Sequence, residues 1–157
     1  MLPLCVIAAL SGPLQAQAAT CAVTASGVAF GAYAPTTGAP LSSSGTVTIN
    51  CTGLLGLVGA LISWSIALSP GQSASFSPRT MSYGSSALHY QLFTDASHTT
   101  VWGDGTNGTV TLNGSTMVTL GTITQSYVVY GGAPASQVVS PGAYSDTITI
   151  TATFSGI

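Results

Sequence analysis

The stretch TITITATF, residues 147–154, alternates strictly between threonine and an apolar residue. Successive side chains of a β-strand point to opposite faces of the sheet, so the threonines share one face and the apolar residues share the other. This pattern predicts a strand that buries one face and presents a hydroxyl-rich face to water.

A second stretch, GTVTINC at residues 45–51, alternates in the same way and places Val47, Ile49 and Cys51 on one face. Other short runs rich in β-branched and aromatic residues are separated by Gly, Pro, Ser and Asn, which favour turns. No helical periodicity is present, and the set predicts an antiparallel β-sandwich. The predicted strands are 28–33, 45–51, 63–69, 87–94, 109–112, 117–123, 126–130 and 147–154.

The composition bounds the class of protein. The chain has 157 residues, of which 46% are hydrophobic and 3% are charged, which predicts a single globular domain. One Arg and three Asp are its only ionic residues, and the net charge of -2 leaves no basic surface to hold phosphates. Nucleic acid is therefore excluded as a partner. The absence of Lys and Glu, which usually cover the wet faces of helices, supports an all-β fold.

The amino end has the pattern of a secretory signal peptide. Residues 2–10 form an apolar run, and Ala16-Gln17-Ala18 is a small-x-small cleavage site. We predict a signal peptide over residues 1–18 and a mature domain over residues 19–157, with no transmembrane segment after cleavage. Cys5 would be removed with the signal.

The mature chain then retains two cysteines, Cys21 and Cys51. An even number of cysteines in an exported protein predicts a disulfide formed in an oxidising compartment. Neither residue belongs to a Cys-x-x-Cys pair or has a cationic neighbour in the sequence, so the bridge is predicted to be structural and not redox-active.

Residues 53–62 depart from alternation and are almost continuously apolar. The run is too short to span a membrane. One interpretation is a buried strand or turn in the core. The other is an exposed apolar loop, favoured by three glycines at a spacing of three, which would serve adhesion or contact with a partner. The candidate adhesive residues are Leu54, Leu55, Leu57, Val58 and Leu61.

Catalytic and metal-binding patterns are absent from the sequence. The bases near neutral pH are His89 and His98, and no serine nucleophile motif or carboxylate pair accompanies them. His89 is interpreted as a solvent-facing strand residue and His98 as a turn residue. We expect no catalytic activity, no cofactor and no bound metal.

Arg79 is the only cation in the chain and is expected to have a structural role. Two roles remain open for it, a salt bridge or a set of hydrogen bonds to carbonyl groups. Its possible ionic partners are Asp95, Asp104 and Asp146.

Several motifs in register resemble the spore coat protein U domain family, and together they cover essentially all of the mature chain. They are RTM at 79–81, LHYQLFTD at 88–95, VWGDGT at 101–106, VYG at 129–131, PASQ at 134–137 and PGAYSDT at 141–147. The resemblance implies a secreted subunit of an archaic chaperone-usher pilus, a surface fibre used for attachment and biofilm formation.

The same resemblance implies an immunoglobulin-like sandwich that lacks its last strand, leaving an apolar groove that a segment of a neighbouring subunit fills. Ile148, Ile150 and Phe154 are the candidate groove residues, although ordinary core packing explains them equally well. The implied partners are a periplasmic pilus chaperone, an outer-membrane usher and other pilus subunits. The implied location is the periplasm in transit and then the cell surface or pilus.

One departure from the pilin pattern bears on the position in a fibre. Only Ala19 and Thr20 separate the predicted cleavage site from Cys21, so the mature chain is expected to accept a donor strand but not to supply one. This favours a subunit at the fibre tip. The alternative is a self-contained secreted coat or matrix protein with a closed β-sandwich.

Overall fold

The computed structural model describes residues 19–34, 38–53, 59, 61–117 and 121–156, so the predicted signal peptide lies outside the described residues. The described residues contain eight strands and one short 3-10 turn at Gly71–Ser73. In chain order the strands are β1 (Thr20–Ser26), β2 (Leu41–Gly53), β3 (Leu61–Leu68), β4 (Arg79–Tyr83), β5 (Ser86–Phe93), β6 (Leu112–Met117), β7 (Gly121–Ala133) and β8 (Ile150–Ser155).

The strands form two antiparallel sheets. The larger sheet has the order β1-β2-β7-β5-β4, and the smaller sheet has the order β6-β3-β8. The 13-residue strands β2 and β7 pair along their whole length and form the centre of the larger sheet. The prediction of an all-β antiparallel sandwich is confirmed.

The core lies between the two sheets, where the alternating apolar faces meet. Val47, Ile49 and Cys51 of β2 point inward and are almost fully buried. The smaller sheet contributes the alternate residues of β3, and the loop residue Trp102 fills the space beside them. The buried residues of β3 are Ile62, Trp64, Ile66 and Leu68.

The predicted disulfide is present. Cys21 of β1 and Cys51 of β2 are directly opposite each other in the register, and their sulfur atoms are bonded. The bridge closes a separation of 30 residues and fixes the edge strand β1 to the rest of its sheet. In the chain-entropy account, a loop of this size stabilises the fold by about 3 to 4 kcal/mol.

Some strand predictions were wrong. Residues 28–33 form no ladder and instead insert apolar side chains against the core, and residues 109–112 form a loop that reaches β6 only at Leu112. The predicted strand 117–123 includes the last residue of β6 and the first three residues of β7, and its residues 118–120 lie outside the described residues. The predicted strand 126–130 lies within β7. Strands β1 and β4 were not predicted.

The last predicted strand begins later than its alternation suggests, at Ile150. The chain before it crosses from one sheet to the other. Ser145 pairs with Ser82 of β4, and Thr149 then accepts a hydrogen bond from Ser69 beyond the end of β3. Residues 145–149 therefore form a corner between the sheets.

Among the described residues, no helix has the length and apolar character needed to cross a membrane.

Candidate functional site

An apolar groove of about 340 Å³ opens between the two sheets. Three strands cannot cover the inner face of a five-stranded sheet, so part of that face is left uncovered beside β8. The floor of the groove comes from the larger sheet, with Val47, Met81, Tyr90, Leu92 and Val129.

Strand β8 and the corner before it form one wall of the groove. Ile148 and Ile150 line it, together with Leu68 at the end of β3. Phe154 is not among the lining residues; it lies farther along β8, opposite Trp64 in the register, and packs against the core. Of the three candidate groove residues, the structure thus brings two to the groove.

The opposite wall is the end of β1 and the segment after it, residues 25–30, with Val28 and Phe30 pointing inward. A glycine makes this wall possible. A Cβ on Gly131 of β7 would lie 2.6 Å from a methyl of Val28 and 2.7 Å from the ring of Phe30. Only a residue without a side chain leaves room for both.

The edges beside the groove have no strand partner in the described part of the chain. Strand β8 pairs only with β3, and β1 pairs only with β2. An edge strand presents unpaired backbone N–H and C=O groups that can pair with another chain. The groove therefore combines an apolar surface with an open hydrogen-bonding edge.

Two other edges are covered. Ser82 of β4 exchanges hydrogen bonds with Ser145, with N–O distances of 2.9 and 3.2 Å. The side-chain amide of Gln137 accepts from His89 N at 2.7 Å and donates to His89 O at 3.0 Å, which satisfies β5 where β7 does not reach it.

Two edges away from the groove also lack a strand partner in the described part of the chain. The edge of β6 is six residues long and contains Asn113 and Gly114, which are poor strand formers. Strand β7 pairs with β5 only at Tyr130, Gly131 and Gly132, so its first nine residues have no partner on that side.

One end of the groove is polar. The hydroxyl of Tyr90 donates to Asp146 Oδ2 at 2.6 Å, and Oδ1 accepts from the backbone N–H of Gln72 at 2.8 Å and of Thr147 at 2.7 Å. Burial raises the pKa of Tyr90 far above its ordinary value, and the hydrogen bond to Asp146 raises it further. The phenol is therefore a permanent donor in this pair.

Arg79 is fully buried and makes a set of neutral hydrogen bonds. Its guanidinium donates to Ser69 O at 3.2 and 2.9 Å, to Trp102 O at 2.8 Å and to the side-chain oxygen of Gln91. The ring of Phe76 packs 5.0 Å from the guanidinium carbon. Of the two roles left open by the sequence, the structure contains the carbonyl network.

The three aspartates make their hydrogen bonds with groups other than Arg79. Asp95 accepts hydrogen bonds from Thr99 and Thr100 within its own loop, Asp104 accepts from Thr106, and Asp146 forms the groove-end contacts. Burial lowers the pKa of Arg79, because desolvation of its charge outweighs the favourable field of Tyr90, Asp146 and Asp104. Of the three carboxylates, those of Asp146 and Asp104 thus act on Arg79 through their field.

Of the candidate adhesive residues, the structure describes only Leu61. Leu54, Leu55, Leu57 and Val58 lie outside the described residues. Leu61, the first residue of β3, is 53% exposed and lies opposite Met117, which is 56% exposed. This end of the smaller sheet therefore carries a pair of exposed apolar side chains.

Neither histidine belongs to a reactive cluster. His89 is exposed on β5, and His98 stacks on Phe93 with a centroid distance of 4.8 Å. Within the described ranges, no three His, Cys, Asp or Glu side chains converge on a position that could hold a metal ion.

The groove floor, and Tyr90 in particular, was not predicted from the sequence. The alternation of Leu88, Tyr90 and Leu92 in β5 placed these residues on one buried face, but no sequence signal shows that part of this face is uncovered.

Comparison with known proteins gives a match to one family model and matches to solved structures. The family model of the Spore Coat Protein U domain matches residues 8–151. The solved structure of a CsuC-CsuE chaperone-tip adhesion subunit pre-assembly complex, from archaic chaperone-usher Csu pili of Acinetobacter baumannii, shares the fold, with a TM-score of 0.55 and 23% sequence identity. The match covers 86% of this chain and 39% of the other, so this chain spans well under half of that one. No curated protein matches the sequence.

Proposed function

The chain belongs to the spore coat protein U domain family, and on this basis we propose that it is a subunit of an archaic chaperone-usher surface pilus that accepts a donor strand from a neighbouring subunit. The observation that carries the proposal is the apolar groove beside the free edge of β8. The role is structural and involves no catalysis.

A single added strand satisfies both properties of the groove. It would pair with the open edge of β8 and extend the smaller sheet to four strands. Its inward side chains would cover Val47, Leu92 and Val129 on the groove floor. Each fully buried Val, Leu, Ile, Phe or Met of the donor would contribute about 1.5 to 3 kcal/mol.

An uncovered groove makes the subunit prone to aggregation before assembly. Apolar surface beside an unpaired strand edge promotes aggregation, so the groove must be covered while the subunit is in the periplasm. We propose that a periplasmic chaperone covers it until an outer-membrane usher exchanges the chaperone for another subunit. The structural neighbour is itself a complex of a chaperone with a subunit. Export through the signal peptide at residues 1–18 and maturation to residues 19–157 belong to this proposal.

We further propose that the subunit lies at the fibre tip and serves attachment and biofilm formation. The neighbouring structure contains a tip adhesion subunit, and the exposed pair Leu61 and Met117 gives one end of this chain apolar surface. The run at residues 53–62 would add to that surface. Antibody labelling of fibres tests the position: label at one end supports it, and label along the whole shaft contradicts it.

The acceptor role is tested by expressing the chain in a periplasm with and without its chaperone, and by adding donor-strand peptides during thermal unfolding. We expect soluble protein only with the chaperone, and a large rise in melting temperature with the peptides, because a ligand that binds only the folded state stabilises it. A soluble monomer whose melting temperature is unchanged by both would mean a closed sandwich. The chain would then be a self-contained secreted coat or matrix protein.

A further inference from the structure

The polar end of the groove has a role that apolar packing does not supply. We propose that Asp146, whose carboxylate meets the hydroxyl of Tyr90 at this end, sets the register of the inserted strand by binding a hydrogen-bond-donating side chain at one inward position of the donor. This inference rests on the proposed function, because it names the chemistry of the strand that the groove accepts.

An apolar groove alone leaves the register ambiguous. Side chains of a strand alternate with a period of two, so a slip of one residue turns every apolar side chain away from the groove. A slip of two residues returns apolar side chains to the groove and differs little in buried area. An additional, chemically distinct contact is needed to select one of these registers.

The carboxylate at the groove end is distinct from the rest of the lining. Most lining side chains are apolar, the polar side chains of Ser26, Tyr144, Ser145 and Tyr90 are neutral hydroxyls, and Asp146 is the one charged residue among those that line the groove. A carboxylate offers about four acceptor positions. Three are occupied in Asp146, by the hydroxyl of Tyr90 and by the backbone N–H groups of Gln72 and Thr147. The fourth belongs to Oδ2, the oxygen that meets Tyr90 and that also packs against Gly71, where an added side chain would clash with it.

The chain's own cation does not fill that position. The guanidinium of Arg79 donates to Ser69, Trp102 and Gln91. Before insertion, water can satisfy Asp146, but an inserted strand displaces that water. Removing water from a carboxylate without supplying a new hydrogen-bond donor costs free energy, which weakens binding of the strand. An inserted strand is therefore favoured when it places an N–H donor at the groove end, and an apolar or acidic side chain there is disfavoured.

The apolar floor of the groove disfavours a charged donor side chain at the other inward positions. Val47, Leu92 and Val129 line the floor and offer no hydrogen-bonding side chain. A Lys at any other inward position would be buried against apolar residues, which is costly for a charged group. The preference for a donor should therefore be confined to one position.

The test uses the full chain refolded with alternating apolar peptides of about ten residues, enough for one strand. Lys and norleucine, which have similar alkyl chains, are compared at each inward position, and the bound peptide is counted by mass spectrometry after equimolar competition. We expect Lys to be retained about ten-fold over norleucine at one position, and norleucine over Lys at the others. This result needs no protein variant.

Three substitutions locate the effect. Asp146→Asn keeps an oxygen for the two backbone donors but removes the charge, and it should abolish the preference for Lys. Tyr90→Phe removes the phenol and leaves the carboxylate, so the preference should remain. Asp95→Asn is the matched control, because Asp95 also accepts backbone N–H groups but does not line the groove.

The outcomes separate this inference from the function on which it rests. If no peptide is retained at any position, the acceptor role fails and the register proposal fails with it. If peptides are retained but Lys is preferred nowhere, or the preference survives Asp146→Asn, the acceptor role stands and the register proposal is wrong.

Discussion

At the scale of single residues, Arg79 holds three parts of the chain together. Its guanidinium joins the end of β3 through Ser69, the loop at Trp102 and the strand β5 through Gln91. Gln91 in turn donates to Phe76 O, which fixes the connection between β3 and β4. A planar fork with five N–H groups suits this role, and an ammonium group does not.

We predict that Arg79→Lys and Arg79→Met each lower the free energy of unfolding by about 3 kcal/mol or more, because Met supplies no donor and a single ammonium group cannot reach Ser69, Trp102 and Gln91 together as the fork does. Urea unfolding of the peptide-bound protein measures the change. A loss below about 1 kcal/mol for Arg79→Lys beside a large loss for Arg79→Met would mean that the positive charge matters and the fork geometry does not.

The hydrogen bonds of Asp95 make the folding stability depend on pH. Desolvation raises the pKa of Asp95, but hydrogen bonds from the backbone of Thr100 and Thr99 outweigh it, and the pKa lies below its ordinary value. Hydrogen bonds from Thr106 likewise lower the pKa of Asp104. A carboxyl group with a depressed pKa in the folded state stabilises the fold above its unfolded pKa and loses that contribution as the pH falls.

We therefore predict constant stability from neutral pH down to about pH 5 and a decline below about pH 4, the ordinary range of an aspartate. Urea unfolding at a series of pH values measures the decline. Asp95→Asn should lower the stability at neutral pH and flatten the decline in acid. An unchanged acid profile in this variant would show that its loop hydrogen bonds do not contribute to folding.

At the scale of elements, the sequence predicts β2, β3 and β5 well, divides the central strand β7 between two predicted strands, and misses the edge strands β1 and β4. In β2, β3 and β5, alternation coincides with burial, because these strands have one face in the core. The edge strand β1 escaped prediction because most of its residues are small and exposed. Strand β4 escaped because it has five residues and begins with a buried arginine.

Residues 28–33 were predicted as a strand but form none. Val28, Phe30 and Tyr33 alternate imperfectly and pack against the core, so the apolar signal is real. No ladder forms there, and the backbone turns at Gly31, which has a φ of 75°. Burial of side chains was predictable from the sequence, whereas the backbone pairing was not.

The candidate site was likewise predicted from the sequence only in part. Ile148 and Ile150 were identified from alternation, but the groove exists because a three-stranded sheet packs on a five-stranded one, and strand order is a property of the tertiary fold. The contact between Tyr90 and Asp146 joins residues 56 apart in the chain, and no local pattern reveals it.

Neighbouring residues of β8 provide a matched test of this element. Ile150 lines the groove, whereas Thr151 is exposed on the outer face. We predict that Ile150→Ala weakens binding of a donor-strand peptide at least ten-fold, since it removes apolar contact with the inserted strand, and that Thr151→Ala changes it less than two-fold. Peptide titration by fluorescence measures both, and equal effects would place the inserted strand elsewhere.

At the scale of the whole molecule, the fold is a sandwich whose two sheets differ in width. The disulfide and the Arg79 network stabilise the part that is complete, and the groove beside β8 is the part that is left uncovered. With one Arg and three Asp in 157 residues, the chain has little charge with which to protect an open edge. Both features fit a subunit that is completed by a strand from outside.

The most direct test of this account is amide hydrogen exchange in β8, read residue by residue with and without a donor-strand peptide. Half of the backbone N–H groups of a strand point to each neighbour, so the amides that face away from β3 are predicted to exchange fast in the free chain and to become protected when the peptide binds. Amides that are already protected in the free chain, and unchanged by the peptide, would show that β8 has a partner within its own chain and would contradict the account.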